Sequence, residues 1–179
     1  MTELSTNNIR ILDIKYGTSV DGIGLRTSLY CAGCENHCPG CHNPQSWDDQ
    51  GGEPMSVEEL FRLIVDADMN VTFTGGDPML HPEGFTTLAR LIKENTSKTI
   101  WCYTGYRFEE VMKHPNRKAL LELCDVLVDS PFIEEERDLS LPFRGSRNQR
   151  IIDVPASLDK GEIKLLVLDY QFHFTNQRT

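Results

Sequence analysis

Four of the six cysteines fall within eleven residues, as Cys31, Cys34, Cys38 and Cys41, in the stretch Y-C-A-G-C-E-N-H-C-P-G-C-H-N-P-Q-S-W from Tyr30 to Trp47. Cys34, Cys38 and Cys41 are spaced C-x3-C-x2-C among Gly33, Pro39 and Gly40, so the backbone can curl and point three sulfurs at one centre. Such a curl favours a cluster over a single ion. Zinc usually takes two ligands from each of two separated knuckles, whereas a cubane presents several irons and accepts thiolates from one tight loop. Three protein ligands leave one iron open to bind and reduce a small molecule. Cys31 complicates the count, because a four-thiolate set of Cys31, Cys34, Cys38 and Cys41 would suit a non-enzymatic zinc-binding module. If a strand runs through Tyr30 and Cys31, that sulfur lies on the sheet instead, as the small buried hydrophobe that free cysteine commonly is.

Around this loop, strand-like and helix-like patterns alternate. Ile9, Ile11 and Ile14 form a short apolar segment, and the turn Asp21-Gly22-Ile23-Gly24 leads into an alternating stretch through Tyr30 that suits a strand. S-V-E-E from Ser56 is a capping box, followed by Leu60, Phe61, Ile64 and Val65 at helical spacing. Val71 to Thr74 make a strand that ends in Gly75-Gly76-Asp77-Pro78, where two glycines let backbone approach a ligand and Asp77 offers a carboxylate. His81 and Pro82 open the next helix, with Phe85, Leu88, Leu91 and Ile92 as its stripe and His81 facing solvent. Thr99 to Tyr103 form a third strand with Cys102 in the core, then a helix runs through Phe108, Val111 and Met112. A further helix ends at Cys124, and Asp125 to Asp129 read as a buried strand. Thr104 and Asp129 follow or end strands, so each is a candidate ligand contact, against a helix cap and a solvated turn acid respectively. Pro131 to Arg150 lack the periodicity of a long helix. Ile163 to Leu168 supply a last strand, and the polar tail from Tyr170 to Thr179 is expected to fray.

This alternation calls for an α/β fold in one domain over residues 1–179, with parallel strands and right-handed crossover helices. Fewer than about eight such units fit the length, so the expected architecture is a partial (β/α) barrel open at one side.

C-x3-C-x2-C directly after a strand, preceded by D-G-I-G-L-R (Asp21 to Arg26), resembles the cluster loop of radical S-adenosylmethionine enzymes. The extended string C-E-N-H-C-P-G-C-H-N-P-Q-S-W and the block D-L-S-L-P-F-R-G-S-R-N-Q-R-I-I-D (Asp138 to Asp153) resemble the activating proteins of anaerobic ribonucleoside-triphosphate reductase. Gly40 stands where the wider superfamily often has an aromatic residue. The resemblance implies a radical-enzyme partial barrel with a [4Fe-4S] cluster on Cys34, Cys38 and Cys41. It implies S-adenosyl-L-methionine at the open iron, its amino group received by Gly75, Gly76 and Asp77, where relatives carry G-G-E-P. Aspartate reaches less far than glutamate, so the backbone role transfers more readily than the side-chain role. Thr104 and Asp129 are implied as further cofactor contacts, and Asp21 and Gly22 as lying near the partner's peptide. No catalytic residue beyond the cluster ligands is implied.

The implied reaction is reductive cleavage of S-adenosylmethionine to a 5'-deoxyadenosyl radical, which takes hydrogen from a glycine of the large reductase subunit. A low-potential donor such as flavodoxin is implied with it. An activase of another glycyl radical enzyme, such as pyruvate formate-lyase, or a radical enzyme acting on a small molecule, is the nearest alternative. Arg144, Gly145, Ser146, Asn148 and Gln149 could hold an anion, the cofactor's carboxylate or the partner, or could simply order a loop.

At 179 residues and 20.4 kDa the chain can bury roughly 70% of its extended surface without disulfides. With no apolar leader at Met1 to Arg10 and no membrane-length apolar run, the expectation is a cytoplasmic protein with reduced thiols. A net charge of -9 and a pI near 5.0 argue against a nucleic-acid surface.

Overall fold

The computed structural model describes residues 8–168, and the polar tail expected from Tyr170 lies outside them. In chain order the strands are β1 (Asn8–Thr18), β2 (Arg26–Cys31), β3 (Glu53–Ser56), β4 (Asn70–Gly75), β5 (Ile100–Tyr103), β6 (Val126–Asp129) and β7 (Arg150–Asp153). The helices are α1 (Val57–Ala67), α2 (Pro82–Asn95), α3 (Phe108–Lys113), α4 (Pro115–Leu121) and α5 (Val154–Lys160). One seven-stranded sheet runs β3-β1-β2-β4-β5-β6-β7. Its edges do not meet, so this is a partial barrel and not a closed one.

Parallel pairing is confined to β2, β4, β5 and β6, the strands joined by helical crossovers. The expected parallel strands with crossover helices are these four; β1 runs antiparallel to β2 and β3, and β7 antiparallel to β6, so the sheet as a whole is mixed. The reason is the connections. Only the turn through Gly22 joins β1 to β2, and only non-helical loop with one 3-10 turn, Glu134–Glu136, joins β6 to β7, so neither pair has a helix to carry the chain back across the sheet.

Helix α1 begins where the Ser56 side chain accepts from the Glu59 amide at 3.1 Å, as its capping box predicts, and ends at Asp68 in the left-handed region (φ 49°). It buries Val57, Leu60 and Ile64, while Val65, expected in the stripe, is on the solvent side. Helix α2 starts with Pro82 after an exposed His81 and buries Phe85, Leu88, Ala89 and Ile92. These stripes pack on Leu29, Phe73, Ile100 and Leu127 from the sheet. Each fully buried Leu or Ile contributes about 1.5–3 kcal/mol by leaving water, and Leu88→Ala would cost about 2–5 kcal/mol.

Strand alternation divides the sheet into two unlike faces. Leu29 and Cys31, Val71 and Phe73, Ile100 and Cys102, and Leu127 face the helices. The alternate positions, Arg26, Ser28, Tyr30, Thr72, Thr74, Trp101 and Tyr103, form the concave face. Arg26 is 1% exposed, stacks over Trp101, and donates to the Thr72 and Thr99 hydroxyls and to the Ile23, Val71 and Thr99 carbonyls. These bonds lock the Asp21–Gly24 turn beneath the concave face.

The run Ile163 to Leu168 does not form the expected last strand. It makes one bridge, Leu165 to Ile152, and leaves Leu165 and Val167 exposed. The edge place beside β6 is taken by Arg150–Asp153, whose apolar run of two residues is too short to stand out in the sequence.

Candidate active site

The carboxyl ends of β2, β4, β5 and β6 open into a cavity of about 630 Å³. Its lining includes Cys34, Cys38 and Cys41 from the loop after β2, Gly75, Gly76 and Asp77 after β4, Thr104 and Gly105 after β5, and Ser130 after β6. A far wall comes from Leu141 to Gly145 and Gln149. Open α/β sheets gather ligand sites at this edge because loops from adjacent parallel strands converge there.

The loop reaches this position through a chain of backbone bonds. Ala32 and Gly33 amides donate to the Arg10 and Ser46 carbonyls at 3.0 and 2.7 Å, and the Gly76 and Asp77 amides donate to the Cys31 and Gly33 carbonyls at 2.7 and 2.8 Å. The space where a Gly76 Cβ would stand is occupied by the Gly33 carbonyl. The glycine pair is therefore needed to seat the cysteine loop on β4, in addition to any ligand contact.

All six cysteines are free thiols. Cys34, Cys38 and Cys41 are half-buried in the cavity wall. The Asn36 Nδ2 amide donates to Cys34 Sγ at 3.7 Å and the Asn43 backbone amide to Cys41 Sγ at 3.4 Å. Burial pushes the Cys34 and Cys38 thiols up from their ordinary range. Cys31 is elsewhere. It is 2% exposed on the helix face with Leu29, pairs with Ile11 and Gly75, and is absent from the cavity lining. A four-thiolate set is thus excluded by strand parity.

Among the described residues, no three His, Cys, Asp or Glu side chains converge where one metal ion could be held. A single ion needs all its donors on one atom, whereas a cubane offers each thiolate a different iron. Three thiols around one cavity, each receiving an N–H bond that would stabilise thiolate, fit the second kind of group.

Asp77 is 2% exposed, and its carboxylate is already claimed by the chain. It accepts from Met79 N at 3.0 Å, Thr104 Oγ1 at 2.8 Å, Gly105 N at 2.9 Å and Asn36 Nδ2 at 3.2 Å. Burial nonetheless pushes its carboxyl up to about 6, against the lowering effect of these donors. Thr104 spends its hydroxyl on Asp77 and accepts from Tyr106 N. Both line the cavity and brace the cysteine loop, β4 and β5 against one another, so the Asp77 carboxylate already has four donors within the chain.

Asp129, expected as a further cofactor contact, lies apart from these residues. It is fully buried on the helix face, outside the cavity lining, and bonds Arg150, Phe108 N and the Ser130 hydroxyl. It shares parity with Leu127, so a carboxylate at the strand's end turns away from the concave side. Its neighbour Ser130, in the left-handed region at φ 79°, lines the cavity instead.

Asp21 reaches the cavity edge and accepts from the Tyr30 hydroxyl at 2.8 Å. Gly22 does not. It is buried against Arg26 and Trp101, both too close for any Cβ, and so packs within the turn.

The Arg144 to Gln149 block orders the far wall. Gln149 Oε1 accepts from the Gly145 and Ser146 amides at 2.9 and 3.2 Å, and its Nε2 donates to the Ser130 carbonyl at 3.3 Å. Asn148 Nδ2 donates to the Pro131 carbonyl at 2.7 Å, and Tyr103 OH reaches across to the Phe143 carbonyl at 2.7 Å. Arg144 is the sole Lys or Arg in the lining, held by the Gln149 carbonyl at 2.6 Å with its buried Nε unpaired.

A family profile described as a 4Fe-4S single cluster domain matches residues 20–152, from the turn before β2 through nearly all of β7. Fold and site thus define an α/β protein built around one such cluster. The chain is 34% identical over 140 residues to the anaerobic ribonucleoside-triphosphate reductase-activating protein of Salmonella typhi, covering 73% of this chain and 89% of that one. It is 37% identical over 142 residues to the protein of that name from Haemophilus influenzae, covering 74% and 90%. The pyruvate formate-lyase-activating enzyme of Clostridium pasteurianum is 30% identical over 148 residues, covering 77% of this chain and 59% of that one. The chain belongs to the family of anaerobic ribonucleoside-triphosphate reductase-activating proteins, which are enzymes. No helix among the described residues is long and apolar enough to cross a membrane.

Proposed function

We propose that the protein activates an anaerobic ribonucleoside-triphosphate reductase by installing a glycyl radical on its large subunit. The observation that carries this is the convergence of Cys34, Cys38 and Cys41 with the Gly75–Asp77 strand end on one cavity, in a chain of this family. Cys34, Cys38 and Cys41 would hold a [4Fe-4S] cluster. When bound and reduced, that cluster supplies the electron that cleaves S-adenosyl-L-methionine to methionine and a 5'-deoxyadenosyl radical, which takes hydrogen from the partner's glycine.

The chain's own residues bind, orient and shield. An ammonium only donates, so at this strand end the acceptors for it would be the carbonyls of the glycine pair, of which Gly75's also accepts from the Ser46 hydroxyl at 3.2 Å. Arg144, the cation of the far wall, would meet its carboxylate. A cavity of about 630 Å³ lies in the range that encloses a nucleoside-sized ligand. Val20 and Leu139, 71% and 81% exposed, put apolar side chains on its open side, where a loop of the partner would enter. An external low-potential donor such as flavodoxin would reduce the site. The protein would act in the cytoplasm, as one domain over residues 1–179.

Resemblance to the pyruvate formate-lyase-activating enzyme supports a second reading, activation of that partner. Both are tested by incubating anaerobically reduced protein and S-adenosylmethionine with each partner and recording the electron paramagnetic resonance spectrum. A glycyl doublet with the reductase is the expected result. A doublet only with pyruvate formate-lyase would favour the second reading, and neither doublet nor methionine release would reject both.

A further inference from the structure

Asn36 lies between two acceptors. Its Nδ2 is 3.7 Å from Cys34 Sγ and 3.2 Å from Asp77 Oδ2, and its amide packs so closely on Gly105 that a Cβ there would overlap it. A thiolate and a carboxylate both only accept, so the NH2 end must face them whichever way the amide is drawn. Asp77 is itself immobilised by Met79 N, Thr104 Oγ1 and Gly105 N. The amide that touches Cys34 is therefore held from behind by the ends of β4 and β5.

We propose that Asn36 is a positioning residue that tunes the reduction potential of the site through its N–H bond to Cys34 Sγ, with Asp77 and Gly105 fixing that bond. This rests on the cluster reading above. The chemistry is general: an N–H donor withdraws charge from a coordinating sulfur and favours the more electron-rich, reduced state, so hydrogen bonds to sulfur raise the potential of an iron–sulfur centre. Among the described residues the Asn36 amide is the one side-chain donor to the three loop cysteines, since Cys41 Sγ accepts from the Asn43 backbone amide and Cys38 from the backbone at Phe132. A backbone donor survives any substitution of its side chain, as the Asn36 and His37 amides at Cys34 would, whereas the side-chain bond to Cys34 depends on the identity of residue 36. Adjustment of the potential at Cys34 is thus open to a single change of residue.

The test uses the full chain, reconstituted anaerobically with iron and sulfide. Iron content and the visible spectrum of the unaltered protein come first, and absence of an iron–sulfur centre there would overturn the cluster reading and this proposal with it. Redox titrations followed by electron paramagnetic resonance then compare it with Asn36→Leu, which keeps much of the volume and removes the donor, and with Asn36→Ala. The expected result is a lower midpoint in both, with about tenfold less reduced centre at a fixed donor potential, or ~59 mV for a one-electron couple. Gly105→Ala retains Asn36 but crowds its amide, and should shift the midpoint in the same direction even if the Asn36 variants assemble poorly. A purely structural Asn36 would change iron occupancy or stability but leave the midpoint of assembled centres unmoved. An unchanged midpoint in Asn36→Leu and Gly105→Ala, with the unaltered protein fully loaded, would overturn this proposal while leaving the cluster reading intact.

Discussion

Arg150 holds the buried carboxylate of Asp129 from two nitrogens, Nε at 3.0 Å and Nη2 at 2.6 Å, and extends the same Nη2 to Glu109 at 2.9 Å. The pair joins β6 to its antiparallel neighbour β7 and, through Phe108 N, to the start of α3. Removing Asp129 would leave Arg150 with Glu109 alone and take the partner from its Nε and from the buried Phe108 amide. Asp129→Ala should therefore lower unfolding free energy by about 1–3 kcal/mol in urea titrations. Because the carboxylate faces the helices, the fraction that remains folded should bind S-adenosylmethionine within about twofold of the unaltered protein; a greater loss would return Asp129 to the site.

The cysteines should separate by position. Ala at Cys34, Cys38 or Cys41 should abolish stable iron incorporation and cofactor cleavage. Cys31→Ala, Cys102→Ala and Cys124→Ala should each cost only about 1 kcal/mol of packing with iron retained. Iron analysis beside methionine release distinguishes the two groups, and iron loss in Cys31→Ala would contradict its placement on the helix face.

Gly76 has no room for a side chain because the Gly33 carbonyl fills the space. Gly76→Val should consequently displace the cysteine loop and reduce iron content as well as S-adenosylmethionine affinity. Full iron with weakened affinity alone would show that the glycine serves only the ligand.

Asp77 should impose a pH dependence on the stability of the metal-free protein. Its carboxyl is pushed up to about 6 by burial, from an ordinary value near 3.8. The folded state holds the proton more tightly than the unfolded one, so this contribution is full below about pH 4 and is lost as pH rises through about 6, in total about 3 kcal/mol. The urea midpoint of the unaltered protein should fall across that window, and Asp77→Asn should flatten the fall. Stability that instead rose with pH, with the rise abolished in Asp77→Asn, would show that the four donors outweigh burial.

Local pattern was enough for much of this protein. Ser56 with Glu59 marked the start of α1, Phe85, Leu88 and Ile92 marked the buried stripe of α2, and glycine and proline among Cys34, Cys38 and Cys41 marked a tight loop at a strand end. Each depends on neighbours a few residues apart, where periodicity and turn chemistry act directly. The site's inner arrangement depends on contacts between distant segments. A strand's two-residue period shows that Leu127 and Asp129 share a face but not which face the helices cover, and packing of α3 and β7 turned Asp129 away from the cavity. The same packing placed Cys31 behind the sheet. Nothing near Asn36 in the chain foretells that Asp77 and Gly105, 41 and 69 positions along, will hold its amide on Cys34. Sequence alone determined which residues could carry the chemistry; tertiary structure decided which of them face one another, because side-chain direction is settled only when all the strands and helices have packed.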